Sequence, residues 1–319
     1  MRRRDCLLAL GLAVPAAAVA AGGTRPEAAP GADGHALAVV PHSITWEMVS
    51  ADSLRHYRIM MGLPPGPPPP QGWPVIYVLD GNAFFATMVE AVRLEAFMAG
   101  YQPAVVVGIG YDVDGPIDVK SRNYDYAPPT QAAPEYDDRN PTRRSGGADV
   151  FIEFLRRQLF PAVAARAPID PAQSCLFGHS YGGLFATYCF LKDNGLFAAV
   201  ASASPSLWYK QGHVLGLADT AMAQQKPLGG RILLLVGEEE QRLSTDEAAF
   251  WGAKRAASMA GLKQVDHVVD LARSLAAHGV DAQSHVFEGE SHVSVVPGAI
   301  SRAVRFFLPR MPAKVENHR

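Results

Sequence analysis

Cys175-Leu176-Phe177-Gly178-His179-Ser180-Tyr181-Gly182-Gly183-Leu184-Phe185-Ala186 is the stretch that decides the fold. It opens as a buried strand, passes through a G-x-S-x-G sequence at Gly178 to Gly182, and continues from Gly183 as the start of a helix. Strand, sharp turn and helix in that order make a nucleophile elbow, which lifts a serine hydroxyl clear of a sheet. The turn strains the serine backbone, so its neighbours must be small; Gly178, Gly182 and Gly183 meet that need. The helix that follows aims its N-terminal N–H groups at any negative charge developing beside Ser180. The bland alternative is a glycine-rich turn carrying an incidental serine, and the flanking segments argue against it.

Working outward, short apolar runs recur on both sides of the elbow. Val75–Leu79, Ala104–Ile109, Ser174–Phe177 and Ile232–Val236 are each long enough for a strand and too short for a helix. Their near-continuous hydrophobicity suits a parallel sheet covered on both faces. Phe197–Ser202 and Ser284–Glu288 are weaker candidates for the same sheet. Helical patterns lie between them at Ala83–Ala99, Ala148–Val163, Leu184–Lys192, Glu247–Ala260, Val265–Ala277 and Ala299–Leu308. Upstream, Ser43–Val49 and His56–Met61 alternate as two antiparallel strands, and a proline-rich run from Gly62 to Trp73 bridges strands as a stiff loop. The expected fold is α/β: an α/β-hydrolase fold with a mostly parallel, doubly wound sheet and helices on both faces. Tyr111 to Gly147 shows no periodicity. A stretch that long is read as a substrate-facing lid or wall, the alternative being a merely solvated loop.

A serine hydroxyl needs a base to take its proton, and in this fold the base follows the last strand. His292 lies there, in Glu288-Gly289-Glu290-Ser291-His292. His285 falls inside the strand, His267 and His278 in or at the end of a helix, and His318 in the tail. His179 adjoins the nucleophile, but the elbow aims its side chain elsewhere. The orienting acid belongs after Ile232–Val236, where Gly237-Glu238-Glu239-Glu240 stands without an aspartate until Asp246. Glu240 is the first choice and Glu238 the second, with a Ser–His dyad as the alternative. One oxyanion donor is the backbone N–H of Tyr181; the other is expected from the loop after an early strand, at Asn82 or Gly81. Such a site loses activity as pH falls through roughly 6–7, where a free imidazole charges.

The chain has 319 residues, 48% of them hydrophobic and 19% charged, with a formal net charge of −2. Beyond the first few residues there is no basic stripe, so nucleic acid is not an expected partner. No Cys/His cluster has metal-ligand spacing and no phosphate-binding G-x-x-x-x-G-K-[ST] loop is present, so neither a metal nor a cofactor is implied. Residues 1–20 read as an export signal: Arg2, Arg3 and Arg4, an apolar run from Cys6 to Ala20, and the small-residue pattern Ala18-Val19-Ala20. Arg3-Arg4-Asp5-Cys6-Leu7 is also similar to a twin-arginine signal. Residues 21–40 then form a leader, 41–310 the hydrolase domain and 311–319 a tail, with no membrane span after cleavage. Export allows Cys175 and Cys189 to pair, but one sits in an expected buried strand and the other in a helix, so two inert buried thiols are the expectation.

Six segments taken in order carry a family resemblance: Leu79-Asp80-Gly81-Asn82, Val107-Gly108-Ile109-Gly110-Tyr111, Arg122-Asn123-Tyr124-Asp125-Tyr126, Gly178 to Gly183, Ser204-Pro205-Ser206-Leu207-Trp208 and Gly289-Glu290-Ser291-His292-Val293-Ser294. Over roughly residues 40–308 the chain resembles the "putative esterase" family, and within it the periplasmic trilactone siderophore esterases that open enterobactin- or salmochelin-like rings. The resemblance implies Ser180 and His292 as catalytic residues, a periplasmic or secreted location, and a small-molecule ester substrate such as a ferric catecholate siderophore. It makes the missing aspartate less of an obstacle, since some relatives work with a dyad. A ferric catecholate is an aromatic trianion, so Arg122, Tyr124, Tyr126 and Trp208 are the expected substrate-binding side chains by charge and stacking. The same site would also serve a carbohydrate-linked acyl esterase (feruloyl or acetyl type) or an acyltransferase. A non-enzyme reading is a periplasmic binding protein that kept the fold, which would bind without turnover and be indifferent to Ser180→Ala.

Overall fold

The computed structural model describes residues 38–130, 134–137, 140–193 and 195–311; the expected export signal, nearly all of the leader and residues 312–319 lie outside these. Strand β1 (Ser43–Val49) pairs antiparallel with β2 (His56–Gly62). The proline-rich stretch then leads into β3 (Trp73–Leu79), whose seven residues are all buried. Helix α1 (Gly81–Ala99) starts directly after Asp80 and returns the chain to β4 (Val105–Tyr111).

The aperiodic stretch that follows is ordered. It holds α2 (Val119–Asp125) and a small hairpin of β5 (Glu135–Tyr136) with β6 (Arg144–Ser145). Asp118 caps α2, its carboxylate accepting from Lys120 N and Ser121 N at 3.0 Å each, as a short helix with few apolar residues requires. Helix α3 (Ala148–Phe154) runs through a π-helical stretch, Leu155–Leu159, into α4 (Phe160–Ala164). Strand β7 (Ile169–His179) and α5 (Tyr181–Lys192) flank the elbow, followed by β8 (Ala199–Ala203), α6 (His213–Ala223) and β9 (Arg231–Gly237). Helices α7 (Thr245–Trp251), α8 (Ala253–Ala260) and α9 (Gln264–Ala277), strand β10 (Asp281–Phe287) and helix α10 (Val296–Phe307) complete the described chain.

The sheet order is β1-β2-β4-β3-β7-β8-β9-β10, with β2 alone running against its neighbours. Alternate residues of the central strands feed two cores. Val75, Tyr77 and Leu79 join one, with α3, α5, α6 and α9 over it; Ile76 and Val78 join the other, covered by α1 and α10. This is the period-two logic of a strand buried on both faces. From β3 the chain first extends the sheet to one side with β4 and then to the other with β7. The crevice beyond the carboxyl ends of β3 and β7 is thus a topological switch point, the favoured ligand position in open α/β sheets. The architecture is the α/β-hydrolase fold.

Two expected elements are corrected. The single helix expected over Glu247–Ala260 is two, because Gly252 adopts φ 79° and breaks it. Helix α6 is not among the expected helices; its buried face is Val214, Ala218 and Ala221, but Leu215, Leu217 and Met222 spread apolar character around it and blur the stripe that marks an amphipathic helix. Cys175 and Cys189 are free and buried, and burial pushes the Cys175 thiol up to about 12 and the Cys189 thiol well above its ordinary value, which keeps both in the unreactive thiol form. Among the described residues no helix is long and apolar enough to cross a membrane.

Candidate active site

Ser180 sits at φ 61° and ψ −116°, between the end of β7 and the first residue of α5. A non-glycine residue in that region costs on the order of 1–3 kcal/mol, and its surroundings enforce it. Ser180 N donates to Ala203 O at 2.9 Å, and Ser180 O accepts from Leu184 N and Ser206 N at 2.9 and 3.1 Å. Gly178 has no alternative, since a Cβ there would stand 2.1 Å from Gly182 O. At Gly182 an added Cβ would meet only ordinary contacts of 3.4 Å or more, so it is less constrained than the sequence suggests.

Ser180 Oγ lies 3.0 Å from His292 Nε2, and His292 Nδ1 lies 2.6 Å from Glu240 Oε2. A carboxylate can only accept, so Nδ1 carries the proton and Nε2 presents its lone pair to the serine hydroxyl. His292 stands in the loop between β10 and α10, on the carboxyl end of β9; a Cβ at Gly237 would lie 2.2 Å from Glu290 O. Glu240 ends a 3-10 turn directly after β9 and is buried. Its second oxygen, Oε1, accepts from Ser204 Oγ at 2.5 Å and Gly237 N at 2.9 Å, so the carboxylate is fixed from both sides. Of the other two glutamates, Glu238 Oε2 accepts from Gly289 N at 3.3 Å, while Glu239 lines the cleft and is tied through its backbone, its N–H donating to Glu290 O.

A cleft of about 540 Å³ opens over Ser180 and His292, within the range of small-molecule sites. The aperiodic stretch supplies one wall through Val119, Asn123, Asp137 and Arg143, and the α7–α9 region supplies Leu243, Met259 and Leu262. Asp137 is buried and ties that wall to the elbow, accepting from Tyr181 Oη at 2.6 Å and Asn123 Nδ2 at 2.5 Å. Tyr181 lines the cleft, while Gly81 and Asn82 do not. The Asn82 side chain is spent on β4, accepting from Tyr111 N and donating to Tyr111 O and Val113 O.

The expected substrate-binding set separates. Trp208 lines the cleft and packs edge-on against Tyr181, ring centroids 5.9 Å apart. Arg122 reaches the cleft margin, but its guanidinium is bidentate on Asp80, both bonds 2.9 Å, and also donates to His179 O. Tyr126 is 0% exposed and its hydroxyl accepts from Asp80 N. Tyr124 lies under Arg55 and Arg144, outside the cleft. Arg122 and Tyr126 therefore brace the turn at Asp80, which holds φ 51°. Arg122→Ala should cost ~3–5 kcal/mol in equilibrium urea unfolding, because it strands the buried Asp80 carboxylate; a loss below about 1 kcal/mol, the range of exposed pairs, would contradict that role. Sequence reasoning missed Ser204 and Asp137, and reached Arg143 only as part of the expected wall over Tyr111 to Gly147. Ser204 sits in the Ser204–Trp208 segment already singled out, but what it bonds depends on a glutamate 36 positions away.

The family model described as "Putative esterase" matches residues 50–305. The chain belongs to that esterase family. The esterase is 33% identical over 279 residues to the ferri-bacillibactin esterase BesA of Bacillus subtilis (strain 168), covering 84% of this chain and 90% of that protein. Among solved structures, the BES protein of Bacillus cereus superposes with a TM-score of 0.71 at 30% identity, covering 86% of this chain and 98% of its own. The siderophore hydrolase EstB of Aspergillus nidulans gives a TM-score of 0.74 at 26% identity, over 87% and 99% of the two chains. The esterase is an enzyme, a carboxylic-ester hydrolase.

Proposed function

We propose that the esterase hydrolyses ester bonds of a ferric siderophore by acyl transfer through Ser180, His292 and Glu240. The observation that carries the chemistry is the single hydrogen-bonded row Glu240 Oε2–His292 Nδ1 and His292 Nε2–Ser180 Oγ, at 2.6 and 3.0 Å. His292 Nε2 takes the hydroxyl proton as Ser180 Oγ attacks the ester carbonyl, and Glu240 stabilises the imidazolium that forms. The carbonyl oxygen, now anionic, rests against the Tyr181 amide at the start of α5. His292 returns the proton to the departing alcohol oxygen, leaving an acyl group on Ser180. Water, deprotonated by the same imidazole, attacks the acyl carbon and frees the acid and the serine.

The substrate reading rests on the relatives named for siderophores and on the cleft itself. Trp208 offers an aromatic face and Arg143 an exposed cation at its rim, which suits an anionic aromatic ligand. Work outside the cytoplasm is part of the proposal, on the strength of the arginine-led apolar run at residues 2–20. The test compares a ferric catecholate trilactone, a short-chain aryl ester and a feruloyl sugar ester, each with Ser180→Ala as the blank. A kcat/KM for the trilactone at least ~100-fold above the other two is expected, since specificity is differential transition-state binding. Equal or better turnover of the sugar ester would overturn the substrate assignment.

A further inference from the structure

We propose that His179, the residue before the nucleophile, is a positioning residue for the base, anchoring the His292 peptide so that the imidazole of His292 reaches Ser180; this rests on the esterase reading above. The sequence leaves His179 without a role. Its ring nitrogen Nε2 lies 2.7 Å from the backbone carbonyl oxygen of His292. A carbonyl only accepts, so Nε2 carries the proton and donates it.

The two ends of this bond differ in rigidity. His179 closes β7, paired in register with Ala203 of β8, and is 8% exposed. Its carbonyl accepts from Arg122 Nη2 at 3.1 Å and its ring meets Phe84 edge-on. His292 lies in the irregular stretch between β10 and α10, with a side chain 37% exposed. Other ties in that stretch act on its neighbours: Glu290 O accepts from Glu239 N, and Gly289 N donates to Glu238 Oε2. The His179 bond acts on the peptide of the base itself, transferring the rigidity of the sheet to it. His179 does not line the cleft, so it works through His292 and not on substrate.

The rings of the two histidines are 4.7 Å apart between centroids, and only one of them can usefully gain charge. The charged groups around His179 are Arg122 with its partner Asp80, and His292 when protonated with Glu240 behind it. Burial, first, and the charge on His292 push His179 down to about 3. It stays neutral while His292 shuttles the proton, and its donor persists at every working pH.

The experiment uses full-length wild type, His179→Gln and His179→Phe on a short-chain aryl ester, with thermal unfolding and a carbon-detected NMR titration of the His179 ring. Glutamine places an amide N–H where Nε2 stood; phenylalanine fills the space without a donor. A base displaced by about 1 Å costs on the order of 100-fold in rate, so His179→Phe should lose ~100-fold in kcat with KM within about threefold. His179→Gln should stay within about fivefold of wild type. Both should show a one-proton acid limb, as in wild type, and the wild-type His179 signal should not titrate between about pH 5 and 8. Full activity of the Phe variant overturns the proposal, as does a Gln variant no better than Phe when all three unfold together. A neutral His179 ring carrying its proton on Nδ1 with Nε2 bare, read from its carbon shifts, also overturns it, whatever the variants do. A folded wild type without any ester hydrolysis sinks the esterase reading instead, leaving the tautomer of the His179 ring to judge its bond to His292 O alone.

Discussion

His292→Ala is expected to lower kcat on a carboxylic ester by about 10⁵- to 10⁶-fold, the scale on which serine hydrolases lose activity without their base, and to leave KM within about threefold. The reason is local. On the proposed mechanism His292 Nε2, 3.0 Å from Ser180 Oγ, is the base, and without it the neutral hydroxyl must attack unassisted. KM holds because the base bonds the reacting hydroxyl and the cleft walls are untouched. The fold should hold as well, since more than a third of the His292 side chain is exposed and its backbone ties do not pass through the ring. His285→Ala is the matched control: that ring lies in β10 against Arg302, and its removal should leave kcat unchanged. A His292→Ala enzyme retaining more than about one per cent of wild-type kcat would mean that another group takes the proton, against the non-additive behaviour of such units.

Glu240→Gln is expected to lower kcat at neutral pH by about 10⁴-fold, the loss seen when an orienting acid becomes an amide. The substitution keeps size and leaves a carbonyl for Ser204 Oγ and Gly237 N, the partners of Oε1. Toward His292 it presents an N–H in place of an acceptor. Nδ1 must then give up its proton, which moves to Nε2 and faces Ser180, the wrong tautomer for a base. Glu238→Gln and Glu239→Gln should each stay within about threefold, because neither carboxylate meets the imidazole. Should Glu240→Gln keep kcat within about tenfold of wild type, the site would run as a Ser–His dyad.

Ser180 and His292 were legible because their positions follow from chain order: an elbow between an apolar run and a helix, and a histidine after the last strand. Glu240 was legible only as one of three. What separates it from Glu238 and Glu239 is the 3-10 turn after β9, which buries the third carboxylate beside Ser204 and leaves the first for Gly289 N. The misread residues share a different cause. Arg122 and Tyr126 have the chemistry of a substrate wall, but Asp80, 42 residues earlier, claims the guanidinium, and no local pattern announces a pairing at that separation. The stretch from Tyr111 to Gly147 hid α2 because seven largely polar residues carry no hydrophobic period; the Asp118 cap was the available signal. The sheet was read almost whole, since strands buried on both faces are near-continuous apolar runs that little else in the chain imitates.

Reaction with an alkyl fluorophosphonate, followed by intact mass and peptide mapping beside residual ester hydrolysis, tests the central assignment most directly. The reagent phosphonylates an activated serine and expels fluoride, so it reports the nucleophile without assuming a substrate. The account predicts one adduct, on the peptide bearing Ser180, with hydrolysis lost in proportion and no adduct in His292→Ala. Inhibition with the adduct on Ser206, whose Oγ is 3.5 Å from that of Ser180, or hydrolysis unaffected by a fully labelled Ser180, would contradict it.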